Sequence, residues 1–224
     1  LTALDTLVQL AVLDKDLAAP PPTPAEGDRY LISDPVIDFP TTLSVAELEK
    51  VRYAKGAFAP KGHMYYPTDI PENIQLEKAI KEGIKETCNK MLAPVPIVGV
   101  KAIRWVARSI PKWAKKKGVK TTNHYLGQLI RMQEEIGTGG GGFRFIYGAF
   151  LQEAAEVLKN EELKVLSKEI TIIGDRWRDF AVDIARVYKN RSSKNDVYEV
   201  LSKEMLEIAD MEEAFFKKLK KAIN

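Results

Sequence analysis

The chain has 224 residues, 34 Lys/Arg against 31 Asp/Glu, a net charge of +3 and a single cysteine. That length and an apolar share of 45% suffice for one large or two small domains with a buried core. One cysteine excludes an internal disulfide framework and fits a reducing, cytoplasmic setting, and no run approaches the roughly 20 apolar residues of a membrane span. The sequence opens on Leu1 and carries no signal-peptide pattern, so a fragment is the expectation.

In chain order, Leu4, Leu7, Val8, Ala11 and Val12 follow helical spacing and predict a helix over 1–17. The proline-rich 18–27 ends it as a linker. Tyr30–Val36 reads as a short apolar strand closing on Asp34-Pro35. Ser44-Val45-Ala46-Glu47 is a capping box, in which hydroxyl and carboxylate reciprocally satisfy first-turn amides. It opens a short helix with Val45, Leu48 and Val51 turned inward. The aromatic stretch 53–67 reads as loop, with a second strand at His63–Tyr66.

From Ile74 on, the pattern is helical. Ile80, Ile84, Cys88 and Met91 form one apolar stripe, supported by Glu77–Lys81 and Glu86–Lys90 pairs. Pro94 and Pro96 stop that helix. A basic helix follows over 97–117, kinked or broken at Pro111, and another over 122–136. Beyond the glycines, Phe143, Ile146, Tyr147, Phe150, Ala154, Val157 and Leu158 form a stripe. A second stripe comprises Leu163, Leu166, Ile170, Ile173, Trp177, Phe180, Ile184 and Tyr188. Val197, Leu201, Met205, Ile208, Phe215 and Leu219 form a third, with a slip near Met211. Long amphipathic helices with short links predict a mostly α chain, an antiparallel helical bundle with a small N-terminal β piece.

Two constellations could carry function. Gly137, Thr138, Gly139, Gly140, Gly141 and Gly142 run into Phe143 and Arg144. The run lacks the Lys-Ser/Thr of a P-loop and follows a helix rather than a strand, which excludes both nucleotide fingerprints. Two readings stay open: an amide-rich nest for a carboxylate or phosphate with Arg144 adding charge, or a connector whose glycines let helices pack closely. The second constellation is residues 101–120, with eight Lys/Arg and no Asp/Glu, so the remainder of the chain is net acidic. Lys101, Arg104, Arg108, Lys112, Lys115, Lys116 and Lys117 make a positive ridge flanked by Trp105 and Trp113. It would attract an acidic protein or, less well with Pro111 in the helix, an anionic membrane; the other reading is a solvated face. No nucleic-acid-binding motif accompanies it.

His63 and His124 lack metal-ligand spacing, and no metal or cofactor is expected. Cys88 lies on an apolar stripe and reads as core, as do Trp177 and Phe180. Arg176, Arg178 and Asp179 read as exposed.

The stretches LISDPVIDFPTTLSVAELEKVRYAKGAFAPKGHMYY, EEIGTGGGGFRFIYGAFLQEAAEVL and IGDRWRDFAVDIARVYK resemble the C-terminal half of proteins similar to butirosin biosynthesis protein H. The resemblance covers 31–67 and 74–224. It implies the end of a papain-like cysteine domain followed by a helical domain of unknown function. The parent activity it implies is acyl transfer from an acyl-carrier protein through a cysteine to an amine. Asp34 stands where such folds place the residue that orients the catalytic histidine. No Cys or His precedes His63, so the implied acyltransferase would be inactive in this chain alone. Residues 1–30 resemble a segment of phage-associated proteins of unknown function, which places a junction near Arg29–Ile32. The expected organisation is a phage-like helix and linker over 1–29, a papain-like remnant over 30–70 and a helical bundle over 71–224. The remnant strand would lack its sheet, and such an open edge makes a homodimer conceivable. A non-catalytic helical interaction module is the alternative.

Overall fold

The computed structural model describes residues 11–12, 29–33, 40–56, 59–63, 73, 75–135, 139–189 and 196–223. The chain divides into two units, Leu1–Asn73 and Ile74–Asn224.

The first unit holds an antiparallel sheet of β1 (Ala11–Val12), β2 (Arg29–Ser33) and β3 (Thr41–Ser44), in that spatial order. Ala11 pairs with Ser33 and Val12 with Ile32, while Arg29 to Ile32 pair with Ser44 to Thr41. Two expectations are corrected here. Ala11 and Val12 are strand, not helix, because the open edge of β2 offers ladder hydrogen bonds that short-range helical spacing does not reveal. For the same reason β2 is not orphaned: it has a partner on each side. Asp34 and the rest of the expected helix over 1–17 lie outside the described residues, as does the expected strand beyond His63; His63 itself is in no strand.

The capping box forms as read. The Ser44 hydroxyl accepts from the Glu47 amide at 3.3 Å, and the Glu47 carboxylate accepts from the Ser44 amide at 2.8 Å. That carboxyl sits below its usual range, first because of the backbone hydrogen bond from Ser44. The box starts α1 (Val45–Arg52), which buries Leu48 but leaves Val45 and Val51 exposed, contrary to their expected inward face.

Among the described residues, the regular elements of the second unit are helical: α2 (Leu76–Met91), α3 (Gly99–Ile130), α4 (Arg144–Leu158), α5 (Glu161–Tyr188) and α6 (Val197–Ala222). The α2 stripe is buried throughout. Along α5 every expected stripe residue is buried except Tyr188, which is exposed at the helix end. Along α4 the buried line is Gly148, Leu151, Ala154 and Ala155, while Ile146 is exposed. Tyr147, Phe150, Val157 and Leu158 of the expected stripe pack half-buried against the core, and Gly148 admits α5 closely, since a Cβ there would lie 3.0 Å from Thr171 Oγ1.

The basic helix is not broken at Pro111, which stays within α3. The interruption falls at Gly118, whose φ of +79° and ψ of 165° suit glycine and put a kink between two helical segments. A π turn, Arg131–Glu135, and a 3-10 turn, Gly141–Phe143, then lead into α4. Asn160 fixes the next corner, accepting from the Glu162 amide at 3.0 Å and donating its Nδ2 to the Ala222 carbonyl at 3.0 Å.

Candidate functional site

Gly139 to Gly142 all have φ between 56° and 84°, and Phe143 continues the left-handed run at 71°. Four glycines make such a path accessible; a non-glycine residue holding φ near 70° is a strained position kept by its surroundings. The path delivers Arg144 to the start of α4 with its side chain turned into the bundle. Its Nε donates to Glu212 Oε1 at 2.7 Å, one Nη donates to the Gly142 carbonyl, and the guanidinium lies 5.3 Å from the Trp177 ring. Trp177 Nε1 donates to the same Glu212 oxygen at 2.8 Å. Glu212 is completely buried, and among the described residues its Oε2 has no hydrogen-bond partner.

A second layer lies over this one. Glu134, from the π turn, accepts from the Gly141 amide at 3.0 Å and stands 3.7 Å from Arg178. Arg178 in turn covers the Phe145 ring at 4.4 Å. A Cβ on Gly140 would come within 2.6 Å of Arg178, one on Gly141 within 2.9 Å of Phe145, and one on Gly174 within 2.9 Å of that same ring. The bare backbone of this turn is thus approached by the protein's own side chains. Gly137 and Thr138 lie outside the described residues.

The stretches GGGGFRF (139–145) and IGDRWRDF (173–180), distant in sequence, are brought together here. Glu212 was not singled out from the sequence. The signal was present as the slip near Met211: Leu201, Met205, Ile208, 212, Phe215 and Leu219 keep a regular core spacing in which position 212 carries a carboxylate. A charge at such a position is tolerated only when paired.

The basic ridge of α3 forms a separate feature. Pro96, Lys101, Arg104, Trp105, Arg108 and Lys112 line a groove of about 360 Å³. Trp105, one of these, is 55% exposed. Arg104 reaches across to α6, pairing with Asp210 at 2.6 Å and with Glu213. Its guanidinium is held above its usual range, first by the Asp210 hydrogen bond. Lys115 pairs with Glu199 at 3.4 Å, and Lys117 lies 6.0 Å from the Tyr125 ring. Among the described residues, Arg108, Lys112 and Lys116 have no acidic partner. Lys101 donates to the Pro94 carbonyl at 3.0 Å, which leaves its charge uncompensated.

Cys88 is fully buried, and burial pushes its thiol up to about 11, opposite to the shift a nucleophile needs. His63 and His124 are exposed in different units. Among the described residues no group of three His, Cys, Asp or Glu side chains could hold a metal ion, and no helix is long and apolar enough to cross a membrane.

A family model described as Domain of unknown function (DUF4872) matches residues 46–219. A second, described as Protein of unknown function (DUF2793), matches residues 1–39. No curated protein and no solved structure matches the chain.

Proposed function

We propose, for a chain that belongs to the family of the domain of unknown function DUF4872, that its helical unit docks an acidic acyl-carrier protein. It would do so for a cysteine acyltransferase similar to butirosin biosynthesis protein H. In such a reaction the enzyme thiolate displaces the carrier thiol to form an enzyme thioester, and an amine then displaces the enzyme thiol to form an amide. This chain supplies no nucleophile in that scheme. Its one thiol, Cys88, is buried among apolar side chains, and that burial raises its pKa.

The observation that carries the reading is the α3 groove, where an exposed indole sits among cations that the fold leaves unneutralised. Such a surface raises the local concentration of an acidic partner through its summed field, and the indole supplies apolar contact. The resemblance to butirosin biosynthesis protein H supplies the nature of that partner. Titration of an acidic acyl-carrier protein into the chain tests it. The expected result is saturable binding that weakens steeply as salt rises. No binding at low salt overturns the docking role, and an acyl adduct on Cys88 by mass spectrometry overturns the lack of autonomous activity.

The second reading is a non-catalytic helical interaction module unconnected to acyl transfer. The closed Arg144–Glu212–Trp177 cluster favours it, because those polar atoms face one another inside the bundle. Equal affinity for a carrier protein and for an unrelated acidic protein of the same charge would select this reading.

A further inference from the structure

We infer that the docking surface is the short segment Lys101–Trp105–Arg108–Lys112 alone, and that it is shaped for an antiparallel acidic helix. The inference rests on the carrier-docking reading for the partner's identity, but its geometry comes from the groove.

The ridge that composition picks out is not uniform. Arg104 is spent within the fold on Asp210 and Glu213, and Lys115 on Glu199. Lys117 leans toward Tyr125, and neither it nor Lys116 lines the groove. What remains for a partner is an indole with one cation on its N-terminal side and two on its C-terminal side. On a helix rising 1.5 Å per residue, Lys101 and Arg108 are about 10 Å apart and Arg108 and Lys112 about 6 Å apart. Trp105 falls between the first two, three or four residues from each, on the same side of the helix.

A partner helix lying along this face meets the same spacings in its own sequence. Antiparallel docking sets the two helix dipoles in opposition, the favourable arrangement. The complementary pattern is then an acidic residue opposite Lys112, a second four residues later opposite Arg108, and an apolar residue three beyond it opposite Trp105. A third acidic residue follows four residues after that, opposite Lys101. An extended acidic tail would satisfy the charges but present no fixed apolar residue to the indole. The ordered spacing of indole and cations therefore favours a helix.

The test uses the full chain and a labelled, helix-stabilised peptide with Glu at its positions 1, 5 and 12 and Leu at position 8, read by fluorescence anisotropy. Two control peptides of the same composition carry the reversed and a scrambled order. The designed order is expected to bind about 10-fold more tightly than either control, the size of one well-placed contact. Trp105→Ala and the pair Arg108→Glu with Lys112→Glu are each expected to remove that advantage. The triple change of Lys115, Lys116 and Lys117 to Glu is expected to leave it, with helical circular dichroism confirming that every variant folds. Equal affinity for all three peptides, or a loss in the triple variant as large as in the Arg108/Lys112 pair, overturns the inference. If the designed peptide wins but an acyl-carrier protein does not displace it, the inference stands and the carrier reading falls. If the carrier binds without competing with the peptide, the inference falls and the carrier reading stands.

Discussion

Arg144 Nε and Glu212 Oε1 meet at 2.7 Å across two helices 68 positions apart in sequence, and Glu212 is wholly buried where they do. A buried pair costs desolvation that its own attraction barely offsets, yet removing one member strands the other. Arg144→Met or Glu212→Leu is therefore expected to cost about 3–5 kcal/mol in urea unfolding. The double variant is expected to cost less than the worse single change, because no uncompensated charge remains. A double variant that sums both losses would show that the residues act independently.

The glycines separate into those that the packing requires and those it does not. Gly141 has φ +57° and a Cβ there would meet Phe145 at 2.9 Å, while Gly174 meets the same ring from α5 at 2.9 Å. Alanine at either position is expected to destabilise by about 1–3 kcal/mol. Gly83, inside α2 and exposed, has open space where a Cβ would go. Gly83→Ala is expected to stabilise by about 0.5–1 kcal/mol, through helix propensity and a less flexible unfolded chain. Thermal unfolding of the three variants side by side checks both signs.

Most of the helical architecture could be read from periodicity, because α2, α5 and α6 bury stripes that local spacing alone defines. What could not be read depends on distant partners. The strand at Ala11–Val12 exists through β2, and spacing within 1–17 says nothing of that edge. The break at Gly118, by contrast, falls between the expected helices over 97–117 and 122–136, while Pro111, whose missing amide costs one helical hydrogen bond, leaves the helix path open. The glycine turn was visible as composition. Its meeting with Gly174 and Arg178 was not, since nothing local links Gly140 and Gly141 to α5. Of the site, Glu212 was the legible residue left unread: a carboxylate in register with Ile208 and Phe215.

The basic ridge makes a stability prediction that separates its members. Arg104 pairs with Asp210 and Glu213 from a half-buried position, so Arg104→Met is expected to cost about 1 kcal/mol after allowance for solvent screening. Arg108→Met, with no acidic partner among the described residues, is expected to stay within about 0.5 kcal/mol of the parent. The Arg104 contribution has an acid limit as well. The Glu213 carboxyl is held below its usual range, first by Lys217 and then by Arg104. Its contribution is therefore present above the unfolded carboxyl pKa near 4.3 and is lost as pH falls through the lower folded value. Urea midpoints of both variants at neutral and acid pH check the pair.

Cys88 gives the alkaline counterpart. Burial raises its thiol from an ordinary value near 9 to about 11, so the folded state holds the proton after the unfolded chain has released it. With more protons bound in the folded state, stability falls as pH rises. The Cys88 contribution is complete below the unfolded pKa, declines from about pH 9 and is gone once pH passes about 11. A rise of that size corresponds to roughly 2–3 kcal/mol of stability lost across the window. Lysines and tyrosines titrate in the same range, so the measurement is the difference between the parent and Cys88→Ala. The alanine variant is expected to be less stable at pH 7, because it leaves a small cavity, and to lose stability more slowly between pH 9 and 11. Parallel pH slopes for the two proteins would mean that the thiol ionises as readily in the fold as outside it. In that case Cys88 would also react with iodoacetamide at the rate of an exposed thiol, whereas a buried, protonated one is expected to resist until the chain unfolds.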